Sequence, residues 1–327
     1  MRLRQRIIDF LFAPEPDAWL TLLRLGLGLQ IIFYALSFRH DWNIVFAAEG
    51  SPFVSRDLTE AIGKIDNPLG PQIGWFIVLG SHLGLSEQMT LSILWLLLLG
   101  AGCGLVLGFF CRTSAVIAWL VHLCAAQSGD FFAYGLDNLM TIGLFYLAIA
   151  PLPDRYALDA KLWRLKRIDP ARLGFHRRVL QLHLCLIYFF SGLTKCLGAG
   201  WWNGASIWRA LTRPPFDIIP IEVLASWKIL FPVVGIAVCL FETTYSVFIW
   251  PRTTRLVWLT AILAMHIAIG LSMGLLLFAL IMVVLNVAAF GPGSGMAACQ
   301  RAPAEFGPNA TGGPSILNKL LTSAVLR

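Results

Sequence analysis

Between Leu256 and Phe290 the chain runs for 35 residues without a formal charge. As one helix that run would be about 50 Å long at ~1.5 Å per residue, against ~30 Å for the hydrocarbon core of a bilayer. Gly270 and Gly274 predict a break into two short spans in preference to one strongly tilted helix. Similar runs recur at Ala18–Phe38, Met89–Cys111, Thr113–Gly129, Asn138–Pro153, Val179–Cys196 and Ile229–Trp250. Gly74–Leu85 is too short to cross and reads as a half-inserted outer segment. Charged residues make up 13% of the chain and apolar ones 57%, where an ordinary soluble domain carries about 25% charged. The expected fold is all-α: a polytopic membrane bundle of seven or eight spans. A soluble globular protein and a disordered chain are excluded.

The net charge of +7 does not point to nucleic acid, because the basic residues fall between the apolar runs and form no single patch. With the N-terminus inside and eight spans, seventeen Lys and Arg lie on the inner side and seven on the outer. That asymmetry predicts a multi-pass protein of the cell inner membrane with a cytoplasmic N-terminus. The opening MRLRQRIIDFLF is basic and amphipathic, suited to lying along the lipid surface, and no small-residue cleavage site comes after the first apolar run. Residues 1–290 read as a membrane domain and 291–327 as a Gly-, Pro- and Ala-rich tail, whose end, SILNKLLTSAVLR, has the composition of a short interfacial helix. Seven cysteines include no CxxC pair, so no metal site is implied.

Ionisable groups inside hydrocarbon cost at least a few kcal/mol and usually face a bundle interior or a cavity. Those in the apolar runs or at their ends are Arg24, His122, Asp137, His183, Lys195, Glu242 and His266. Arg24 can be read as a structural partner of Glu242, and His122 and His183 as neutral, hydrogen-bonded packing residues. Lys195 closes its run and can snorkel to the headgroups. Its neighbours support a second reading: Gly198, Gly200, Trp201, Trp202, Asn203 and Gly204 suit a rim or lid over a cavity, under which a partly desolvated lysine serves as a base.

The segment Tyr188-Phe-Phe-Ser-Gly-Leu-Thr-Lys195 with Trp202-Asn203-Gly204 after it resembles the membrane region of the vitamin K-dependent γ-carboxylase superfamily, the HTTM (horizontally transferred transmembrane) domain. Pro153-Asp154-Arg155-Tyr156-Ala157-Leu158-Asp159 after an apolar run, Glu242 in an apolar helix, and His266 with Phe278 and Met282 match that family in the same order. The resemblance implies that a lysine at the position of Lys195 acts as base toward a reduced quinone-like cofactor in an apolar pocket. It implies a cavity formed by Lys195, Trp201, Trp202, Asn138, Glu242 and His266, with Asn138 and His266 orienting the ligand and Glu242 as counter-charge. Two departures weigh against true γ-glutamyl carboxylation. Asn138 stands where those enzymes carry a functional histidine, and only 37 residues come after the membrane part. The expectation is therefore a membrane maturation or assembly subunit with a separately encoded soluble or exported partner. The alternative is a membrane enzyme binding a quinone- or lipid-like substrate with Lys195 as base.

Overall fold

The computed structural model describes residues 2–48, 54–131 and 133–291. The tail read as a linker with an interfacial helix lies outside the described residues, apart from Gly291. Within them the secondary structure is helical: α1 (Arg2–Leu11), α2 (Ala18–Ser37), α3 (Trp42–Val45), α4 (Arg56–Asp66), α5 (Ile73–His82), α6 (Glu87–Leu107), α7 (Cys111–Ser128), α8 (Gly135–Ile149), α9 (Leu158–Leu162), α10 (Pro170–Leu197), α11 (Ala199–Trp202), α12 (Ala205–Thr212), α13 (Ile221–Trp227), α14 (Phe231–Phe248), α15 (Arg252–Met273) and α16 (Leu276–Phe290).

The helix ends arise from local chemistry. Ser86 Oγ accepts from the Met89 amide at 3.2 Å, opening α6 with Glu87 in its first turn, where an acid meets the positive end of the helix dipole. The Asp159 carboxylate accepts from the amides of Phe110 and Cys111 at 2.9 and 2.7 Å and so caps α7. The charge-free run from Leu256 breaks at Gly274, whose φ of +71° is a left-handed conformation that side-chain-bearing residues avoid. Two helices result where one would have overrun the bilayer.

Five helical stretches are long and apolar enough to cross a membrane: Ala18–Ser37, Glu87–Leu107, Pro170–Leu197, Ile221–Phe248 and Arg252–Met273. The chain is thus a multi-pass membrane protein. Helices α5, α8 and α16 are apolar but shorter, and α5, at ten residues or about 15 Å, falls well short of a crossing. Helix α2 presents Leu20, Leu23, Leu27 and Ile31 as one buried stripe, at the three- and four-residue spacing of a helix face, and packs against α6, α8 and α16. Helix α10 packs on α14, and α15 on α16 and α14.

Buried charges set this packing, and one of them corrects the sequence reading. Arg24 does not meet Glu242. Its Nε lies 2.6 Å from Asp154 Oδ2, Thr21 Oγ1 donates to the same carboxylate at 2.8 Å, and the guanidinium also donates to the carbonyls of Leu105 and Val106. The reason is reach: Arg24 sits in the first third of α2, beside the turn into which the chain passes after α8. A second pair extends α10 by nine residues beyond its apolar run. Asp169 caps the helix, Pro170 occupies its first turn, and Arg177 is buried by Glu15 at 2.9 Å and the Ala289 carbonyl at 3.0 Å. Gln181 donates to that same carbonyl at 2.6 Å, so an otherwise open carbonyl at the end of α16 is satisfied.

Removing one member of a buried ion pair strands the other charge, at about 3–5 kcal/mol. Asp154→Ala is expected to lower the thermal midpoint of the detergent-purified protein sharply. The double variant Arg24→Met with Asp154→Ala should recover most of the loss.

Candidate functional site

A cavity of about 890 Å³ opens among α8, α10, α12, α14, α15 and α16. Its walls are mostly apolar, with Phe278, Met282 and Ile269 among them, and its polar side chains are few: Asn138, Tyr188, Ser191, Lys195, Glu242, His266 and Ser272, with Trp201 beside them.

The charged wall depends on one glycine. At Gly192, on α10, an added Cβ would overlap the backbone nitrogen and hydroxyl of Thr243 on α14, so the two helices approach there as only a residue without a side chain allows. One turn further along α10, Lys195 Nζ lies 2.5 Å from Glu242 Oε2 and 2.5 Å from Ser191 Oγ. The Trp201 ring centroid is 5.5 Å from the same nitrogen, within range of a cation–π contact. The lysine side chain remains 21% exposed and the Glu242 side chain 6%. The ammonium is paired with Glu242 at the cavity wall.

His266 belongs to a hydrogen-bonded chain. His266 Nε2 meets the Tyr188 hydroxyl at 2.9 Å, Asn286 Nδ2 donates to that hydroxyl at 2.8 Å and to the Met282 carbonyl at 2.8 Å, and the Tyr245 hydroxyl donates to Asn286 Oδ1 at 2.8 Å. All four side chains are buried. The Phe278 ring stands edge-on to His266 at 5.6 Å.

Of the residues read from the sequence, Lys195, Glu242, His266, Asn138 and Trp201 line one cavity. Trp202 and Asn203 do not. Successive residues of a helix point about 100° apart, so when Trp201 on α11 turns to the cavity its neighbour turns away. Trp202 is 46% exposed and donates to the Cys196 carbonyl at 2.8 Å, while Asn203 Oδ1 accepts from the Ala205 amide at 3.0 Å at the head of α12. His122 packs against the Asp137 carbonyl at 3.2 Å and His183 against the Tyr146 hydroxyl at 2.9 Å. Asp137 itself accepts from the Tyr134 amide at 3.0 Å, closing the first turn of α8. The residues that a search for charges passes over are Ser191, Tyr188 and Asn286. The sequence does carry a signal for two of them: Tyr188, Ser191 and Lys195 are spaced by three and four, which puts all three on one face of α10.

A multi-pass helical bundle with a polar cluster at the wall of a cavity among its apolar helices is the class of protein that this geometry defines. The model of the HTTM domain family matches residues 69–292, and the chain belongs to that family. No curated protein and no solved structure matches the chain.

Overpacking at a close helix contact costs about 1–3 kcal/mol. Gly192→Val should lower the melting temperature in detergent, whereas Gly100→Val, where an added Cβ meets open space, should leave it unchanged.

Proposed function

We propose that the cavity binds a hydrophobic small molecule, quinone- or lipid-like, and that Lys195 and Glu242 work on it as one proton-handling pair. The observation that carries this is the placement of an ion pair at the edge of some 890 Å³ of apolar space, large enough for a drug-sized apolar guest. An ammonium has no lone pair to offer. For Lys195 to take a proton from a ligand hydroxyl, its own must first pass to Glu242 Oε2, 2.5 Å away, after which the neutral amine is a base facing the cavity. Ser191 holds the amine in place through its hydroxyl, His266 and Asn138 orient the guest, and Trp201 covers the nitrogen. With asparagine at 138, a residue that hydrogen-bonds and does not titrate near neutrality, the reading does not extend to γ-glutamyl carboxylation.

In this reading residues 1–290 form the membrane domain. It crosses the inner membrane eight times through α2, α6, α7, α8, α10, α14, α15 and α16, with the N-terminus cytoplasmic and α5 half-inserted on the outer side. The excess of Lys and Arg in 151–178 supports that orientation. In the same reading Lys195 lies near the outer face.

A second reading is a membrane subunit that matures or assembles a separately encoded exported protein. It is favoured by α4, which comes after α2 and so lies at the outer end, and which exposes Leu58, Ile62 and Ile65 at helical spacing beside its charged face. A partner docking there would be lost on Leu58→Asp with Ile65→Asp.

The test is the organic extract of the purified full chain, analysed by mass spectrometry, together with titration of 2-methyl-1,4-naphthoquinone monitored by tryptophan quenching. A co-purifying quinone or lipid and saturable quenching are expected, both lost in Ala264→Trp, which fills the cavity. Lys195→Ala should abolish turnover or complementation, and Lys195→Arg should not restore it, since arginine keeps its proton. Rescue by arginine would reduce Lys195 to a fixed charge, and absence of saturable binding would end the cavity reading.

A further inference from the structure

Helices α10 and α14 meet along one seam in a fixed, antiparallel register. The Tyr188 and Tyr245 rings lie 4.3 Å apart, Gly192 closes on the backbone of Thr243, and Lys195 meets Glu242. Advancing along α10 therefore means retreating along α14. Four residues on from Gly192 stands Cys196, and four residues back from Thr243 stands Cys239. Four residues make about one helical turn, so the two cysteines oppose each other one turn beyond the Gly192 contact.

The side chains agree with that register. Cys196 Sγ lies 3.5 Å from Thr243 Oγ1, so the thiol is turned toward α14. Cys239 is fully buried, and its side chain interacts with that of Cys196. Packed helix axes run about 8–10 Å apart, with Cα atoms about 2.3 Å off each axis. Facing positions at the close end of that range come within the ~4.4–6.8 Å that separates the Cα atoms of a disulfide. Both cysteines are free here, as a reduced pair.

The two sulfurs differ in access. Cys196 is half-buried and is the last residue but one of α10, beside the exposed Leu197 and Trp202. Cys239 has no exposed surface. One thiol is reached from outside and the other only through it, which is the asymmetry of an attacking and a resolving cysteine.

We propose that Cys196 and Cys239 are a redox-active dithiol, converted to a disulfide between α10 and α14 by exchange with a disulfide-bearing donor at the end of α10. The Cys196 thiolate attacks one donor sulfur and expels the other half as a thiolate. The Cys239 sulfur then displaces the second half from Cys196 and closes the bond. Two thiols are oxidised, one disulfide is reduced to two thiols, and two protons pass from the cysteines to the halves released. The new bond ties the helices beside the Lys195–Glu242 pair, since Lys195 precedes Cys196 and Glu242 lies less than a turn from Cys239. The site belongs to the helix seam and stands whatever the cavity holds.

The experiment treats the full chain in detergent with 4,4′-dithiodipyridine, a small disulfide that releases one coloured 4-thiopyridone at each displacement. Remaining thiols are blocked with N-ethylmaleimide in denaturant, and a non-reducing digest is read by mass spectrometry. The unaltered protein should yield a Cys196–Cys239 linked peptide that dithiothreitol separates. Cys239→Ala should release one 4-thiopyridone fewer per chain and keep the pyridyl group on Cys196. Cys196→Ala should release two fewer and leave Cys239 unmodified. A pyridyl group that persists on Cys196 in the unaltered protein overturns the pairing. So does recovery of both thiols as maleimide adducts while a cysteine peptide in the same tube is fully oxidised. Neither of these two results needs a variant to fold. Pyridylation of Cys239 in Cys196→Ala overturns the assigned order of attack.

Discussion

In a bilayer, apolar side chains gain nothing by leaving lipid for one another, so helices must be held in register by close packing and by polar groups that cannot be left open. Among the ion pairs that do this between segments far apart in the chain, three stand out. Arg24 and Asp154 are 130 residues apart, Arg177 and Glu15 are 162, and Lys195 and Glu242 are 47. The first two are sealed, each charge surrounded by further hydrogen-bond partners. The third differs in one respect: its lysine keeps a fifth of its side-chain surface free, and the residue lines a cavity. The same kind of interaction thus fastens the bundle in two places and is left accessible in a third.

The cavity wall carries two polar groups of unlike chemistry. In one, Lys195, Glu242 and Ser191 form a charged cluster. In the other, a chain of hydrogen bonds ties His266 to Tyr188, Asn286, Tyr245 and the Met282 carbonyl. The rest of the lining is largely hydrocarbon.

Much of this is legible in the sequence for a physical reason. Helices that cross lipid must be long apolar runs, and charges inside such runs are rare enough to draw the eye, so Lys195, Glu242 and His266 stand out. Asp154 is not recognisable as the partner of Arg24 because it lies in a proline-flanked turn, where an acid carries no signal of burial. The first nine residues of α10 read as a basic loop because arginine spacing alone does not reveal Glu15 and the Ala289 carbonyl waiting for Arg177. Tyr188 and Asn286 escape notice as partners because neither bears a charge; only their hydrogen-bond geometry shows what they hold. Choosing between Trp201 and Trp202 requires the phase of a four-residue helix, which no composition supplies.

Helices α8 and α16 contain fifteen residues each, about 22 Å of helix where the hydrocarbon is nearer 30 Å. Both contribute their first two turns to the cavity wall, through Gly135, Asn138, Phe278 and Met282. The hollow therefore lies where about one and a half further turns of each rod would otherwise have stood. It is the room left by truncated columns, and longer ones would have filled it.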